Sequence, residues 1–193
     1  MLRIRLRSLA AAWPAPLVVG LVAFGCSSTA SRGAHPASSR GPTSTVADVH
    51  VTATSFTSLK TMTPVRGFFV ANLLGNSKGT LAVAHSAAGG TYPVGTVLQL
   101  VPQEAMVKHR PGWNPATDDW EFFSLDVSNS GTKILTRGVQ NVVNRFGGNC
   151  AACHSAAKSK FDFVCEHDHG CAPLPIGDAL IRTIQLADPR PST

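Results

Sequence analysis

The chain has 193 residues, 44% of them apolar and 15% charged, with a net charge of +6; this suits one globular domain with an ordinary core and excludes a chain too polar to bury one. Half of that charge sits in Arg3, Arg5 and Arg7, ahead of Cys26, where no acidic residue stands. The remainder shows no run of Lys or Arg, so the basic stripe that a nucleic-acid partner requires is missing.

Residues 1–25 read as an export signal: a basic start, an apolar stretch from Leu9 to Gly25 interrupted by Pro14 and Pro16, then a small residue before Cys26. A transmembrane helix is the competing reading, and about 17 residues with two prolines is short for a span. The junction Val22-Ala23-Phe24-Gly25-Cys26-Ser27-Ser28 resembles a bacterial lipoprotein signal, although Ala23 stands where such junctions usually carry Leu. The resemblance implies lipidation of Cys26 and a place on the periplasmic side of the cell envelope, with the lipid as the sole membrane contact. Residues 26–48 are rich in Ser, Thr, Ala, Gly and Pro and predict a flexible tether, because they bury too little apolar surface to offset their ordering entropy.

One folded domain is expected over residues 49–193, with its body starting near Val51. Phe56, Leu59 and Met62 recur at helical spacing and Pro64 ends the pattern, which predicts a short helix. Arg66 to Leu74 reads as a strand, Gly75 to Gly79 as a turn, and Thr80 to Ala84 as its hairpin partner. Gly89 to Gly95 is a further turn, followed by strands at Thr96–Val101 and Met106–His109. A loop at Pro111–Pro115 leads to strands at Asp119–Val127 and Lys133–Arg137. Short strands between Gly/Pro-rich turns predict a curved antiparallel sheet. Cys150 to Lys158 is Ala-rich and predicts one helix, and the Pro-rich stretch from Cys171 is expected to drape over the body. The fold class is therefore α+β.

Cys150-Ala151-Ala152-Cys153-His154 carries the chemistry. Two thiols three positions apart can each add to one vinyl group of a haem, and the next histidine is placed to ligate its iron. This predicts one covalent haem c on Cys150 and Cys153 with His154 as the axial iron ligand. Only 39 residues follow His154 and none is Met, so a helical cytochrome with an early motif and a downstream Met ligand does not fit.

From Thr63 to Phe163 the chain resembles the cytochrome P460 family, including the related β-fold cytochromes c′. The shared features are the turn Tyr92-Pro93-Val94-Gly95-Thr96-Val97, the segment Met106-Val107-Lys108, Asp119-Trp120-Glu121, the haem motif and Asp162-Phe163-Val164. The resemblance implies a five-coordinate haem with His154 proximal, an open distal face and frequent pairing of subunits as homodimers. Some members oxidise hydroxylamine, while others bind nitric oxide or carry electrons. The enzymes carry a lysine cross-linked to the haem, on or near the strand after the Tyr-Pro turn. That strand here, Thr96 to Val101, has no lysine, and Lys108 is the nearest.

Glu104 and Glu121 are candidate catalytic bases on the distal side, since proton removal from an iron-bound substrate needs a carboxylate in reach. His85, Met106 and His109 are candidate sixth ligands; Trp120, Phe122 and Phe123 are expected in the core and against the haem. Cys165 and Cys171 stand close enough in sequence to form a disulfide, the default in an oxidising compartment. Three functional readings follow. The first is a monohaem cytochrome that binds a small-molecule ligand or exchanges electrons with a redox partner protein. The second is an oxidoreductase acting on hydroxylamine or a related nitrogen compound. The third is a zinc-stabilised binding module without haem, since Cys150, Cys153, His154, Cys165, His167, His169 and Cys171 crowd within 22 residues. A redox disulfide between Cys150 and Cys153 is a further possibility, but no thioredoxin-like βαβ pattern surrounds it.

Overall fold

The computed structural model describes residues 47–192; the export signal, Cys26 and residues 26–46 of the expected tether lie outside them. The architecture is mixed α+β, built on one six-stranded antiparallel sheet in which each strand pairs with its sequence neighbours. The strands are β1 (Thr63–Val65), β2 (Phe68–Asn72), β3 (Thr96–Gln99), β4 (Glu104–Lys108), β5 (Trp120–Ser128) and β6 (Gly131–Gly138).

Alternation along the strands sends side chains to two covered faces. One face carries Phe68, Val70, Leu98, Met106, Trp120 and Phe122, packed with partly buried residues that include Leu81, Cys150, Ala151 and Phe163. The other carries Val97, Ala105, Val107, Phe123 and Leu125, covered by Val49, Val51, Phe56, Leu59 and Met62 from the incoming chain. Each fully buried side chain of this size contributes about 1.5–3 kcal/mol before packing is counted.

Three expectations are corrected. Phe56, Leu59 and Met62 are all buried, but they ride on two 3₁₀ turns, Ala53–Ser55 and Leu59–Thr61, rather than on an α-helix; a repeat of three is the 3₁₀ period. Thr80–Ala84 does not pair as a strand. It completes helix α1 (Ser77–Ala84), whose start Asn76 caps by accepting the Gly79 amide at 3.1 Å. Thr80 and Ala84, one helical turn apart, are its buried residues, so the helical period prevailed over the Gly-rich turn signal. Strand β2 pairs with β3 instead, Val70 opposite Leu98.

The helix of the Cys-x-x-Cys-His motif, α2, spans only Cys150–His154, not Cys150–Lys158. It starts sharply because Asn149 Oδ1 accepts the Ala152 amide at 2.8 Å. The Pro-rich tail contains an unforeseen helix, α3 (Asp178–Leu186). The tail is also firmly tied down. Gln185 donates to the carbonyls of Gly67 and Leu100, each at 2.8 Å, and Asp188 accepts the Leu59 amide at 2.8 Å. Among the described residues no helix is long and apolar enough to cross a membrane.

Candidate functional site

Helix α2 sets Cys150 and Cys153 one turn apart, and both thiols are free and half-buried. Burial, then the nearby Glu104 carboxylate and Cys153, push the Cys150 thiol up to about 12. A thiol built for redox exchange or nucleophilic attack needs the opposite shift, so Cys150 does not resemble the attacking thiol of a redox pair.

His154, at the end of α2, has its Nδ1 2.8 Å from the carbonyl oxygen of Phe163. A carbonyl only accepts, so Nδ1 carries the proton. Packing of the ring, edge-on to Phe122 at 5.1 Å between centroids, lowers its pKa and keeps the imidazole neutral. The Nε2 lone pair is then the acceptor, and it has no hydrogen-bond partner among the described residues. A neutral imidazole held through one nitrogen to a backbone carbonyl, with the other nitrogen free, is the arrangement of a metal-ligating histidine.

The Phe163 carbonyl is aimed by a sharp corner. Asp162 and Phe163 both take left-handed backbone angles, φ 53° and 66°, which costs about 1–2 kcal/mol for each L residue. Asp162 is pinned from three sides: Lys108 Nζ donates to its Oδ1 at 2.6 Å, the Tyr92 amide to its Oδ2 at 2.7 Å, and the Trp120 indole N–H to its carbonyl at 2.7 Å. Burial pushes the Asp162 carboxyl up, with Lys108 and the Tyr92 amide acting against that shift.

Lys108, the candidate cross-linking residue, is thus a buried ion-pair partner. Its ammonium also donates to the Asp118 carbonyl and sits 5.2 Å from the centroid of the Trp120 ring.

The two candidate bases separate. Glu104 lies near Cys150, accepts the Arg145 amide at 2.8 Å, and has its carboxyl raised by burial. Glu121 points to the other face of the sheet, where Arg137 grips both its oxygens at 2.7 and 2.8 Å and His109 Nε2 meets it at 2.9 Å. The sheet therefore stands between His154 and both Glu121 and His109. Glu121 is also buried rather than superficial, because its charge is matched by these two partners. Met106 is buried in the motif-side core, and His85 is exposed at the end of α1. Trp120 and Phe122 face the motif side, while Phe123 faces away and packs on Phe56 at 4.8 Å between centroids.

Cys165 and Cys171 are joined in a disulfide with a Cα separation of 5.7 Å. That removes two of the proposed zinc ligands. His169 donates through Nδ1 to the Val164 carbonyl at 2.7 Å and stacks on Phe161, and His167 is exposed. Among the described residues no three His, Cys, Asp or Glu side chains converge as a metal-holding cluster. Haem does not need one, since the porphyrin nitrogens supply the other ligands and the protein adds a single axial nitrogen. The donor set of α2, with small residues Ala151 and Ala152 between the thiols, fits that group.

Sequence reasoning missed the Asp162 scaffold. Its hydrogen-bond partners come from 42 to 70 residues away, and the functional atom it aims is a backbone carbonyl. A comparison with protein-family models, with curated proteins and with solved structures finds no match to this chain.

Proposed function

We propose that the protein is an exported, lipid-anchored monohaem c-type cytochrome of the P460-like type, which binds a small molecule at its iron or transfers electrons at the cell envelope. The observation that carries this is the neutral His154, protonated at Nδ1 by its bond to Phe163, with Nε2 free and directly after two reduced thiols.

Cys150 and Cys153 would hold the haem by thioethers and His154 Nε2 would hold its iron. Bound haem supplies a one-electron couple and an axial position for a small ligand. The chain's own contribution is positional. Asn149 starts the helix that presents the thiols, Phe163 fixes the tautomer and direction of the imidazole, and Phe122 packs against its edge. Glu104 is the one candidate carboxylate on this side of the sheet, able to hold a proton near the motif because burial raises its pKa.

Binding or electron transfer is favoured over oxidation of hydroxylamine or a related nitrogen compound. Lys108 is committed to Asp162, and Glu121 lies across the sheet. The zinc-module reading draws less support, with Cys165 and Cys171 bridged. Export agrees with that bridge, which belongs to an oxidising compartment.

The test is the optical spectrum of protein produced with a c-type haem maturation system. An ordinary c-type reduced spectrum, lost in the Cys150→Ser/Cys153→Ser variant, is expected; a red-shifted reduced band with an extra lysine cross-link would move the case to the oxidase.

A further inference from the structure

Lys108 and Asp162 lie 54 residues apart, yet both are almost wholly buried, and among the described residues their ion pair is the only charged contact on the corner that aims Phe163 at His154. The corner holds two successive left-handed residues, a geometry that persists only where its surroundings impose it. The Tyr92 amide and the Trp120 indole restrain Asp162 as well, but each makes a neutral-donor bond, whereas Lys108 brings the end of β4 onto the carboxylate. Displacing Asp162 moves the next carbonyl in the chain, and that carbonyl is the partner of His154 Nδ1.

We propose that the Lys108–Asp162 ion pair is a positioning device that fixes the tautomer and orientation of the His154 imidazole, and through them the reduction potential of the haem it would ligate. The proposal deepens the haem reading and rests on it for the potential, though not for the tautomer. A hydrogen bond from the distant ring nitrogen makes an axial imidazole a stronger donor and favours ferric iron. Loosening the corner therefore raises the potential.

The test uses Lys108→Met/Asp162→Asn, which removes both charges together so that neither is left buried alone, and keeps an amide oxygen for Tyr92. Arg137→Gln, on the opposite face, serves as a variant that weakens a charged pair without touching the corner. Two readouts are taken: the nitrogen chemical shifts of His154 in haem-free protein, and the midpoint potential of haem-loaded protein. The expected result is a single Nδ1–H tautomer in the parent and in Arg137→Gln, a mixture of tautomers in the double variant, and a higher potential in the double variant alone. An unchanged tautomer and an unchanged potential in a folded double variant would overturn the proposal. If the parent chain takes up no covalent haem, the cytochrome reading falls, and the tautomer readout decides the positioning role by itself.

Discussion

The imidazole of His109 sits between two carboxylates, its Nε2 2.9 Å from Glu121 and its Nδ1 3.1 Å from both oxygens of Asp48. Ionised carboxylates only accept hydrogen bonds, so both ring nitrogens must donate and the ring must be cationic. Asp48 belongs to the incoming chain, which makes this cluster the clasp that ties the end of the expected tether to the sheet. Arg137 completes it by holding Glu121, and Trp113 stacks on the ring at 4.2 Å.

The clasp gives the fold a defined pH dependence. The two carboxylates raise the pKa of His109 above its ordinary 6.5 despite burial, so its stabilisation is complete below that value and is lost as pH rises through the raised pKa. Asp48 and Glu121 are held below their ordinary 3.8 and 4.5, so their contributions are complete above those values and fade as pH falls through the lowered ones. The clasp is strongest between about pH 4.5 and 6.5. Chemical denaturation across pH 5 to 9 should show stability declining on the alkaline side. His109→Gln should flatten that decline and lower stability at pH 6 by about 3 kcal/mol; an unaltered alkaline slope in the variant would contradict the clasp.

Trp120→Phe keeps a ring in the core but removes the donor to the Asp162 carbonyl. A buried carbonyl left without its partner costs about 1–3 kcal/mol, and urea denaturation should register a loss in that range. A loss under about 0.5 kcal/mol, the level of an ordinary surface change, would argue that Asp162 does not need the indole.

Cys150 should be unreactive in haem-free protein. With its thiol pushed up to about 12, alkylation at pH 8 is expected to run roughly a thousandfold slower than for a free cysteine. Glu104→Gln removes the second-largest cause of the shift and should speed the reaction. Peptide mass mapping after timed alkylation measures both. Fast modification of Cys150 in the parent would revive a redox role for the pair.

The disulfide between Cys165 and Cys171 closes a short loop, the two residues being six positions apart in sequence. Loop-closure entropy puts its contribution at about 2 kcal/mol. Thermal unfolding of Cys165→Ser/Cys171→Ser should show a lowered midpoint with the motif helix intact, since Asn149 caps α2 independently of the bridge.

The proposed motif stands out in the sequence because covalent haem attachment would demand two thiols and a histidine at fixed spacing, as in Cys150, Cys153 and His154. Most strands were legible from turns such as Ser128–Gly131 and from apolar runs. The face each side chain takes was not. In Trp120-Glu121-Phe122-Phe123 both faces of the sheet are covered, so the run is apolar almost throughout and alternation does not reveal which side α2 occupies. Helix α1 was hidden because Gly75 and Gly79 read as a turn while Asn76, between them, was the cap. Helix α3 was hidden by Pro173, Pro175, Pro189 and Pro191, which bracket it without entering it. The partner of His154 is a main-chain atom, and main-chain atoms carry no residue signature.

The most direct test of the central claim is the intact mass, after denaturation, of the protein exported in a cell that attaches c-type haem. The account predicts a gain of one haem that survives unfolding and disappears in Cys150→Ser/Cys153→Ser. A parent chain at its unmodified mass beyond signal processing and lipidation, with Cys150 and Cys153 still free thiols, would contradict it.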